Sequence, residues 1–195
     1  MNILKNWIKE IASLFVFIRF KNIWNLKKYL VNRKKQSGIC ASVYSYYLDK
    51  KGSYIGINAQ FDNTPYFPHG VLGVFISDRT KIGKNAVIFQ QVTIGAVRTK
   101  GSKRVGNPII GDNCYIGAGA KIIGNVRVGD NCRIGANAVV YEDMPDNSIA
   151  VCSPTKIIKK KKENDNKFYV LRENGDIEYY ENGKFHKDEK ELVSN

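Results

Sequence analysis

An aliphatic side chain returns every six residues through the middle of this chain. The first run is Ile76, Ile82, Ile88 and Ile94, and the second is Ile110, Ile116, Ile122, Val128, Ile134 and Val140. A small or slim residue stands two places before each aliphatic, and glycine follows many of them. Neither an α-helix nor a flat strand keeps a six-residue phase, whereas a hexapeptide β-solenoid must. The repeat therefore predicts a mainly β chain that folds as a parallel β-helix.

Each hexad of such a solenoid supplies one short strand and one corner. The aliphatic side chain points into a triangular prism, and the small residue lets the chain turn tightly. Three hexads complete a coil, so residues 18 apart stack at about 4.8 Å, the spacing of strands in any sheet. Cys114 and Cys132 are 18 apart at the small inward position. We expect them to stack as buried thiols that pack like slim hydrophobes, with a metal or disulfide role as the less favoured alternative.

The six-residue phase breaks at two places, and functional residues are expected there. The step from Ile94 to Ile110 is 16 residues, so ten extra residues leave the prism as the basic loop AVRTKGSKRVGNP, residues 96–108. Upstream, the step from Phe67 to Ile76 is nine residues, and His69 lies inside it. His69 is one of only two histidines in the chain, and the other, His186, lies in a charged tail.

The formal net charge of +13 is concentrated at the N-terminus. Residues 1–53 carry 11 Lys and Arg against 2 Asp and Glu. No zinc-finger, RNA-recognition or helix-turn-helix signature accompanies this charge, so nucleic acid is not an expected partner. The four cysteines form no CxxC pair and no signal peptide precedes them, which indicates a reducing cytoplasm.

The chain has a helical segment before the solenoid and a small β unit after it. Residues 3–35 are predicted as a basic amphipathic helix, which either caps the first coil or lies in an anionic membrane surface. Its longest apolar run, Ile11 to Ile18, is far shorter than the roughly 20 residues that span a bilayer. Two Asn-Gly turns in the tail predict a three-stranded antiparallel meander whose role is left open. The predicted domains are 1–53, 54–158 and 159–195.

Three strings carry a resemblance to a known family: FPHGVLGVFISDRTKIGKNAVIFQQVTIG, PIIGDNCYIGAGAKIIGNVRVGDNCRIGANAVV and SPTKII. In order and spacing they resemble the serine acetyltransferase-like branch of the hexapeptide acyltransferases, over about residues 54–158. The resemblance implies a left-handed parallel β-helix and a homotrimer with active sites between subunits. It also implies acetyl transfer from acetyl-CoA to a hydroxyl, without a metal.

The resemblance also assigns roles to residues of this chain. The catalytic histidine of the family corresponds to His69. Small residues that line the pantetheine channel correspond to Gly95, Ala118 and Ala136, and the basic residue near the adenosine phosphates corresponds to Lys156.

Three departures from the family pattern bear on the acceptor. The acidic residue expected 15 positions before the histidine is Tyr54, and the acid expected just before it is Pro68. An Arg-His pair expected in the loop is replaced by Gly106 and Asn107. Members of this branch that lack these contacts resemble O-acetyltransferases acting on sugars of the cell envelope. Three residues are predicted to contact the acceptor here: Tyr54, Gln91 and Asn107.

Acetyl transfer from a thioester to an alcohol requires a base, an aligned hydroxyl and a donor for the developing oxyanion. His69 is the only histidine within the solenoid, and imidazole suits proton abstraction at neutral pH. We expect a direct attack with His69 as general base and a backbone N–H within residues 91–95 as the oxyanion donor. A backbone carbonyl, Asp62 or Asp78 is expected to orient the imidazole. The structural alternative is that His69 is simply a polar corner residue.

The leading functional hypothesis is an acetyl-CoA-dependent O-acetyltransferase that acts on a saccharide hydroxyl of a cell-envelope polysaccharide or its precursor. The alternatives are serine O-acetylation toward cysteine and a non-catalytic solenoid scaffold. A carbonic anhydrase on the same fold is excluded, because its zinc needs three histidines and this solenoid has one. The enzyme is expected in the cytoplasm, with contact to the inner face of the cell membrane through residues 3–35 as an open alternative.

Overall fold

The computed structural model describes residues 2–33, 37–152, 168–172, 174, 176–181 and 184–188. The chain divides into two compact units, residues 1–153 and residues 154–195. The helices are α1 (Asn2–Phe20), α2 (Ile23–Asn32) and α3 (Ile39–Asp49). The strands of the first unit are β1 (Tyr54–Ile55), β2 (Gln60–Phe61), β3 (Phe75–Ile76), β4 (Lys81–Ile82), β5 (Val87–Ile88), β6 (Thr93–Gly95), β7 (Ile109–Ile110), β8 (Tyr115–Ile116), β9 (Lys121–Ile123), β10 (Arg127–Val128), β11 (Arg133–Ile134), β12 (Val139–Val140) and β13 (Ile149–Ala150).

Three parallel sheets form the faces of the prism. Face A has the order β1-β3-β6-β9-β12, face B has β2-β4-β7-β10, and face C has β5-β8-β11-β13. Along face A, Ile76 pairs with Ile94, Ile94 with Ile122, and Ile122 with Val140. The steps are 18, 28 and 18 residues, so the register absorbs the ten extra residues of the loop without shifting any aliphatic out of line. The left-handed parallel β-helix predicted from the sequence is confirmed as the fold class.

The interior of the prism is filled by the six-residue series of aliphatics, all of them buried. Cys114 and Cys132 are buried with them as free thiols. Their sulfurs donate to the carbonyls of Gly129 and Pro145 at 3.2 and 3.1 Å, and burial raises the pKa of Cys114 to about 11. The prediction that both thiols are buried and pack as slim hydrophobes in the core is therefore confirmed.

The open end of the prism leaves the first coil with unpaired backbone groups. Between coils the hydrogen bonds run both ways: Tyr54 N donates to Val74 O of the next coil, and Gln91 N donates back to Leu72 O of the coil before. The first coil has no coil before it, so the backbone groups on its outer side, carbonyls among them, need partners elsewhere. Helices supply the missing donors: Tyr44 of α3 donates to Ile55 O at 2.9 Å.

Lys27 of α2 supplies two more donors at the same open end. Its ammonium donates to the carbonyls of Ile57, at 2.9 Å, and Ala59, and it lies 4.8 Å from the centre of the Phe61 ring. Trp24, one turn earlier on α2, stacks on Phe67 with 5.3 Å between ring centres. The N-terminal helices therefore cap the prism, which was one of the two roles expected for them.

The prediction of one continuous helix over residues 3–35 is wrong, because this range contains the two helices α1 and α2. Lys21 adopts a φ of 65°, which interrupts the helix, and the Asn22 side chain then caps α2 by accepting from Asn25 N at 2.9 Å. The third helix, α3, was not predicted, and Gly38 with a φ of 97° precedes it. The three helices pack on one another through ring contacts such as Phe17 with Tyr47.

The second unit contains the predicted meander. Its strands are β14 (Phe168–Leu171), β15 (Ile177–Glu181) and β16 (Lys184–Lys187), in an antiparallel sheet of order β14-β15-β16. Tyr179 pairs with His186, and their rings stack at 5.5 Å. The predicted three-stranded sheet is confirmed, while Gly175 and residues 182–183 of the two Asn-Gly turns lie outside the described residues.

Candidate active site

Three columns of turns run along the prism, one at each corner. We call the column between faces B and C the asparagine corner, because it contains Asn63, Asn85, Asn113, Asn131 and Asn147. The histidine corner, between faces C and A, consists of the stacked turns 67–73, 89–92, 117–120 and 135–138. The loop corner, between faces A and B, carries the excursion of residues 96–108.

The nine-residue step that contains His69 is an enlarged turn at the first level of the histidine corner. Val71 and Val74 point inward and are buried, which anchors the turn on the core. Gly70 N donates to Phe67 O at 3.0 Å, and Gly70 has a φ of 65°, a conformation that glycine tolerates without strain. The extra residues therefore leave His69 on the outer surface, exposed to solvent.

Aromatic contact, and not a carboxylate, accompanies the imidazole. The ring of Phe89 meets the ring of His69 edge-on, with 5.7 Å between centres and an interplanar angle of 62°. Tyr115 packs behind Phe89 at 5.1 Å. In the described part of the chain, no hydrogen bond to the His69 side chain is formed.

Neither carboxylate expected to orient His69 does so within this chain. Asp78 lies at the loop corner and accepts hydrogen bonds from the backbone and side-chain nitrogens of Asn58, at 3.2 and 3.1 Å. Asp62 follows β2 on face B, and its side chain forms no hydrogen bond with described residues. The expectation for both carboxylates is corrected, because each belongs to another part of the prism.

Three predicted site residues lie directly below His69 along the histidine corner. Gln91 N donates to Leu72 O of the His69 turn at 2.9 Å, and Gln91 itself adopts a φ of 62°. The next level holds Ala118, and Asn137 N donates to Ala118 O at 2.8 Å, which places Ala136 one level further. The column from the His69 turn to Ala136 thus covers three strand spacings, about 14 Å. Small side chains line its lower part, beside the Lys121 ammonium, which donates to Gln91 O and Gly119 O at 2.9 and 2.8 Å.

Three other predicted site residues lie away from this corner. Gly95 ends β6 at the start of the loop, and its carbonyl accepts from Gly124 N at 2.8 Å. Asn107 is at the base of the loop, where its side chain accepts from Arg98 at 3.0 Å. Tyr54 lies in β1 on the outside of face A, and partial burial followed by the nearby Asp78 charge raises its pKa. One chain therefore does not bring Gly95 and Asn107 together with His69.

The remaining predictions concern the basic residue near the CoA phosphates and the backbone donor for the oxyanion. Lys156, and with it the basic run 156–162, lies outside the described residues. Among the N–H groups expected to hold the oxyanion, those of Gln91 and Thr93 are already donated to Leu72 O and Ala120 O. This removes two of the N–H groups within residues 91–95 from that role.

Sequence reasoning missed two residues of the histidine corner. Phe89 contacts His69 only because the enlarged turn brings residues 20 apart together, outside the 18-residue register. Gln90 has a side-chain oxygen that is buried without a hydrogen-bond partner, the one such side-chain atom among the described residues. A buried unpaired amide oxygen is costly to a fold, and a role in a site is one physical reason for it. No group of three His, Cys, Asp or Glu that could hold a metal occurs in the described ranges.

Comparisons with known proteins agree with this architecture. Residues 107–142 match the family described as "Bacterial transferase hexapeptide (six repeats)". The serine acetyltransferase of Staphylococcus xylosus is 33% identical over 109 residues, which is 56% of this chain and 49% of that protein. The serine acetyltransferase of Helicobacter pylori is 42% identical over 95 residues, 49% of this chain and 54% of that protein. The chain thus spans about half the length of the curated relatives it matches.

Two solved structures extend the likeness in three dimensions. Serine acetyltransferase isoform 3 of Entamoeba histolytica, solved with cysteine, matches with a TM-score of 0.58 and 28% identity, covering 71% of this chain and 50% of that one. The soybean serine acetyltransferase apoenzyme matches with a TM-score of 0.57 and 29% identity, covering 70% and 56%. The family resemblance expected from the sequence is confirmed.

Proposed function

We propose that this chain, which belongs to the hexapeptide-repeat transferases, is an acetyl-CoA-dependent O-acetyltransferase with His69 as its general base. The observation that carries the proposal is the histidine corner: an exposed imidazole stands at the head of a column about 14 Å long whose lower levels include Ala118 and Ala136. A thioester on an extended pantetheine arm could lie along this column with its reactive end at His69. The described part of the chain offers no histidine elsewhere on the prism.

The reaction needs only one proton carrier. His69 accepts the proton of the acceptor hydroxyl as the oxygen attacks the thioester carbonyl, and a tetrahedral oxyanion forms. Collapse of this intermediate breaks the carbon–sulfur bond and releases the CoA thiolate, which takes the same proton back from His69. The ester is the second product, and the imidazole returns to its neutral form. No covalent enzyme intermediate is required.

The edge contact with Phe89 would hold the imidazole in place where a carboxylate is expected. The Phe89 ring is a neutral neighbour, and it contacts the imidazole edge-on with 5.7 Å between ring centres. Phe89 is thus proposed as a positioning residue for His69, acting by contact alone.

The complete site is proposed to form between subunits of a homotrimer. His69 and the alanine column lie at one corner of the prism, whereas Gly95 and Asn107 lie at the next corner. A neighbouring copy that presents its loop corner to this histidine corner would unite the two groups and could supply the missing oxyanion donor. Lys156 would then contact the CoA phosphates.

Two compounds are candidates for the acceptor of the acetyl group. L-serine is the acceptor of the proteins to which this chain is similar, and the comparisons favour it. A saccharide hydroxyl of a cell-envelope polysaccharide or its precursor is the second candidate. It is favoured by Tyr54, Pro68 and the Gly106–Asn107 pair, because these residues cannot hold the charged groups of free serine as acidic and basic side chains would. Tyr54, Gln91 and Asn107 are the residues proposed to contact either acceptor.

A cytoplasmic enzyme is proposed, which places it where acetyl-CoA and reduced thiols coexist. Contact with the inner face of the cell membrane through residues 3–35 would suit a lipid-linked saccharide acceptor. This contact is a separate part of the proposal and does not bear on the chemistry at His69.

One assay distinguishes the two acceptors and the scaffold alternative. Purified protein is incubated with acetyl-CoA and either L-serine or a panel of sugars and nucleotide sugars, and released CoA is quantified by chromatography. Chromatography is preferred to a thiol reagent because Cys152 is an exposed free thiol. Turnover with serine selects the first candidate, and turnover with a saccharide alone selects the second. CoA release that is absent with every acceptor, or unchanged by His69→Ala, would contradict the proposal.

A further inference from the structure

Helix α1 has two apolar faces, and only one of them is packed. On the inner face, Val16 is buried and Ala12, Phe17 and Phe20 pack against the core. Glu10 fastens the same helix to α3 through Tyr46 and Lys50. The orientation of α1 is therefore set by contacts on the inner side, and its other side faces outward.

The outer face carries a continuous stripe of large apolar side chains. The exposed fractions are 54% for Ile11, 63% for Leu14, 68% for Phe15 and 70% for Ile18. Their spacing of i, i+3, i+4 and i+7 aligns them along the helix. We call these four residues the outer stripe. The four residues of the outer stripe are among the apolar residues whose spacing predicts an amphipathic helix. In the structure they are exposed, so they do not contribute to the cap on the first coil.

A contiguous apolar stripe in water indicates a surface that another phase or molecule covers. Apart from Val31 on α2, Ile39 on α3 and Phe185 in the second unit, the other exposed large hydrophobic residues of the described chain lie on the strands, turns and loop of the prism. The outer stripe is distinct because its members share one helix face.

The charge around the outer stripe distinguishes between two possible partners, a second copy of this chain and a lipid surface. Residues 1–53 carry 11 basic against 2 acidic residues, and Arg19, Lys21 and Lys28 are exposed near the stripe in sequence. A second copy would bring the same positive charge to this face, and like charges would oppose contact through it. An anionic lipid surface has the opposite sign and also accepts apolar side chains at its acyl boundary.

The geometry excludes one mode of membrane contact. In the described part of the chain, no helix is both long enough and apolar enough to cross a bilayer. A helix with one outward apolar stripe and basic neighbours instead lies in the plane of the interface, with that stripe directed into the lipid.

We propose that the outer stripe of α1 docks this protein on an anionic membrane surface. The contact is in-plane and reversible, with Ile11, Leu14, Phe15 and Ile18 inserted and the basic N-terminal residues facing the lipid phosphates. The inference goes beyond the proposed acetyl transfer and does not depend on it, because it uses no residue of the histidine corner.

The test is co-sedimentation of the full chain with vesicles. One set of vesicles contains equal parts of phosphatidylglycerol and phosphatidylcholine, and the other contains phosphatidylcholine alone. The variant is Phe15→Ser/Ile18→Ser, and the matched control is Ile149→Ser, which changes a residue that is 66% exposed on face C of the prism. Thermal unfolding and CoA release are measured for each protein, and neither is expected to change because all three side chains are exposed.

The expected result is binding to the anionic vesicles that falls about ten-fold or more in the stripe variant and remains in the control. Binding should also weaken in 0.5 M salt, as about this concentration screens the lipid charge. Equal binding by the stripe variant and the wild type would overturn the proposal. So would the absence of vesicle binding together with a change of oligomer size in the stripe variant, which would assign the stripe to contact between copies.

Discussion

The asparagine corner and the histidine corner are built by the same repeat, yet they differ in how their polar groups are satisfied. At the asparagine corner each amide nitrogen donates to the amide oxygen one level below, at 3.0 to 3.2 Å, from Asn63 to Asn147. Four of these asparagines have φ between 54° and 60°, and their amides offset the cost of that conformation. At the histidine corner Gln91 adopts the same conformation, but its amide takes no part in such a ladder.

This difference shows where a repeat protein can place chemistry. The asparagine corner is complete, since each level uses the polar groups of the next, and a ligand would have to displace a paired amide. The histidine corner keeps an exposed imidazole, small alanine side chains and a buried, unpaired Gln90 oxygen. The imidazole and the alanine side chains are available to a substrate because no hydrogen bond of the described structure uses them.

The largest expected effect follows from filling the alanine column. Ala136 is exposed at the third level below His69, so Ala136→Trp should block the cofactor without disturbing the core. We expect kcat/KM for acetyl-CoA to fall about 100-fold or more, with an unchanged melting temperature. Lys84→Trp is the control, because it places the same bulk on an exposed turn of the asparagine corner, which lies outside the proposed site. Equal losses in both variants would show that the two corners do not differ in function.

A second test extends the comparison to the open end of the prism, where the Lys27 ammonium donates to carbonyls of the first coil. Burial lowers the pKa of Lys27 to about 8 from 10.5, opposed by the Asp78 charge. Below pH 8 both folded and unfolded chains hold the proton. Between pH 8 and 10.5 only the unfolded chain holds it, so the free energy of unfolding should rise with pH, by about 3 kcal/mol at most.

Chemical unfolding between pH 7 and 10.5 measures this rise. Lys27→Met should remove the rise, whereas Lys28→Met, which changes an exposed lysine of the same helix, should retain it. If wild-type stability is flat across this window, the ammonium is not desolvated at the end of the prism.

A third test weighs the ladder of the asparagine corner itself. Asn113→Gly keeps the left-handed backbone accessible but removes the hydrogen bonds to Asn85 and Asn131. We expect the free energy of unfolding to fall by about 1 to 2 kcal/mol, measured by denaturant unfolding at one fixed protein concentration. An unchanged midpoint would mean that the ladder contributes nothing to stability.

The smallest expected effect comes from the equivalent change at the histidine corner. Gln91→Gly relieves the positive φ of Gln91 and loses no side-chain hydrogen bond of the described structure. Its free energy of unfolding should differ from that of the wild type by less than about 0.5 kcal/mol, since relief of strain offsets the added chain entropy. A loss as large as that of Asn113→Gly would erase the distinction between the corners.

The parts of the fold that follow from residue type at a fixed spacing could be predicted. The aliphatic at every sixth position determines the prism, and the slim inward position explains Cys114 and Cys132, because packing in a narrow core depends on side-chain size. The enlarged turn also identified His69 without any coordinates. The family resemblance then supplied the handedness, which spacing alone cannot.

Other features could not be predicted, because they depend on which groups remain unpaired in three dimensions. Tyr44 and Lys27 are capping donors only because no coil precedes the first one, which leaves carbonyls on its outer side open. The contact between Phe89 and His69 depends on how the enlarged turn shifts the register between the first two coils. Both faces of α1 carry apolar residues, so the sequence alone does not show which face packs inward. The outward position of the stripe is therefore known only from the structure.

The most direct test of the central claim is the rate of acetyl transfer by His69→Ala, with His186→Ala as the matched control from the second unit. The account predicts that CoA release with the accepted hydroxyl falls at least about 100-fold in the first variant and is unchanged in the second. A His69→Ala protein that turns over at the wild-type rate would contradict the assignment of the histidine corner as the active site.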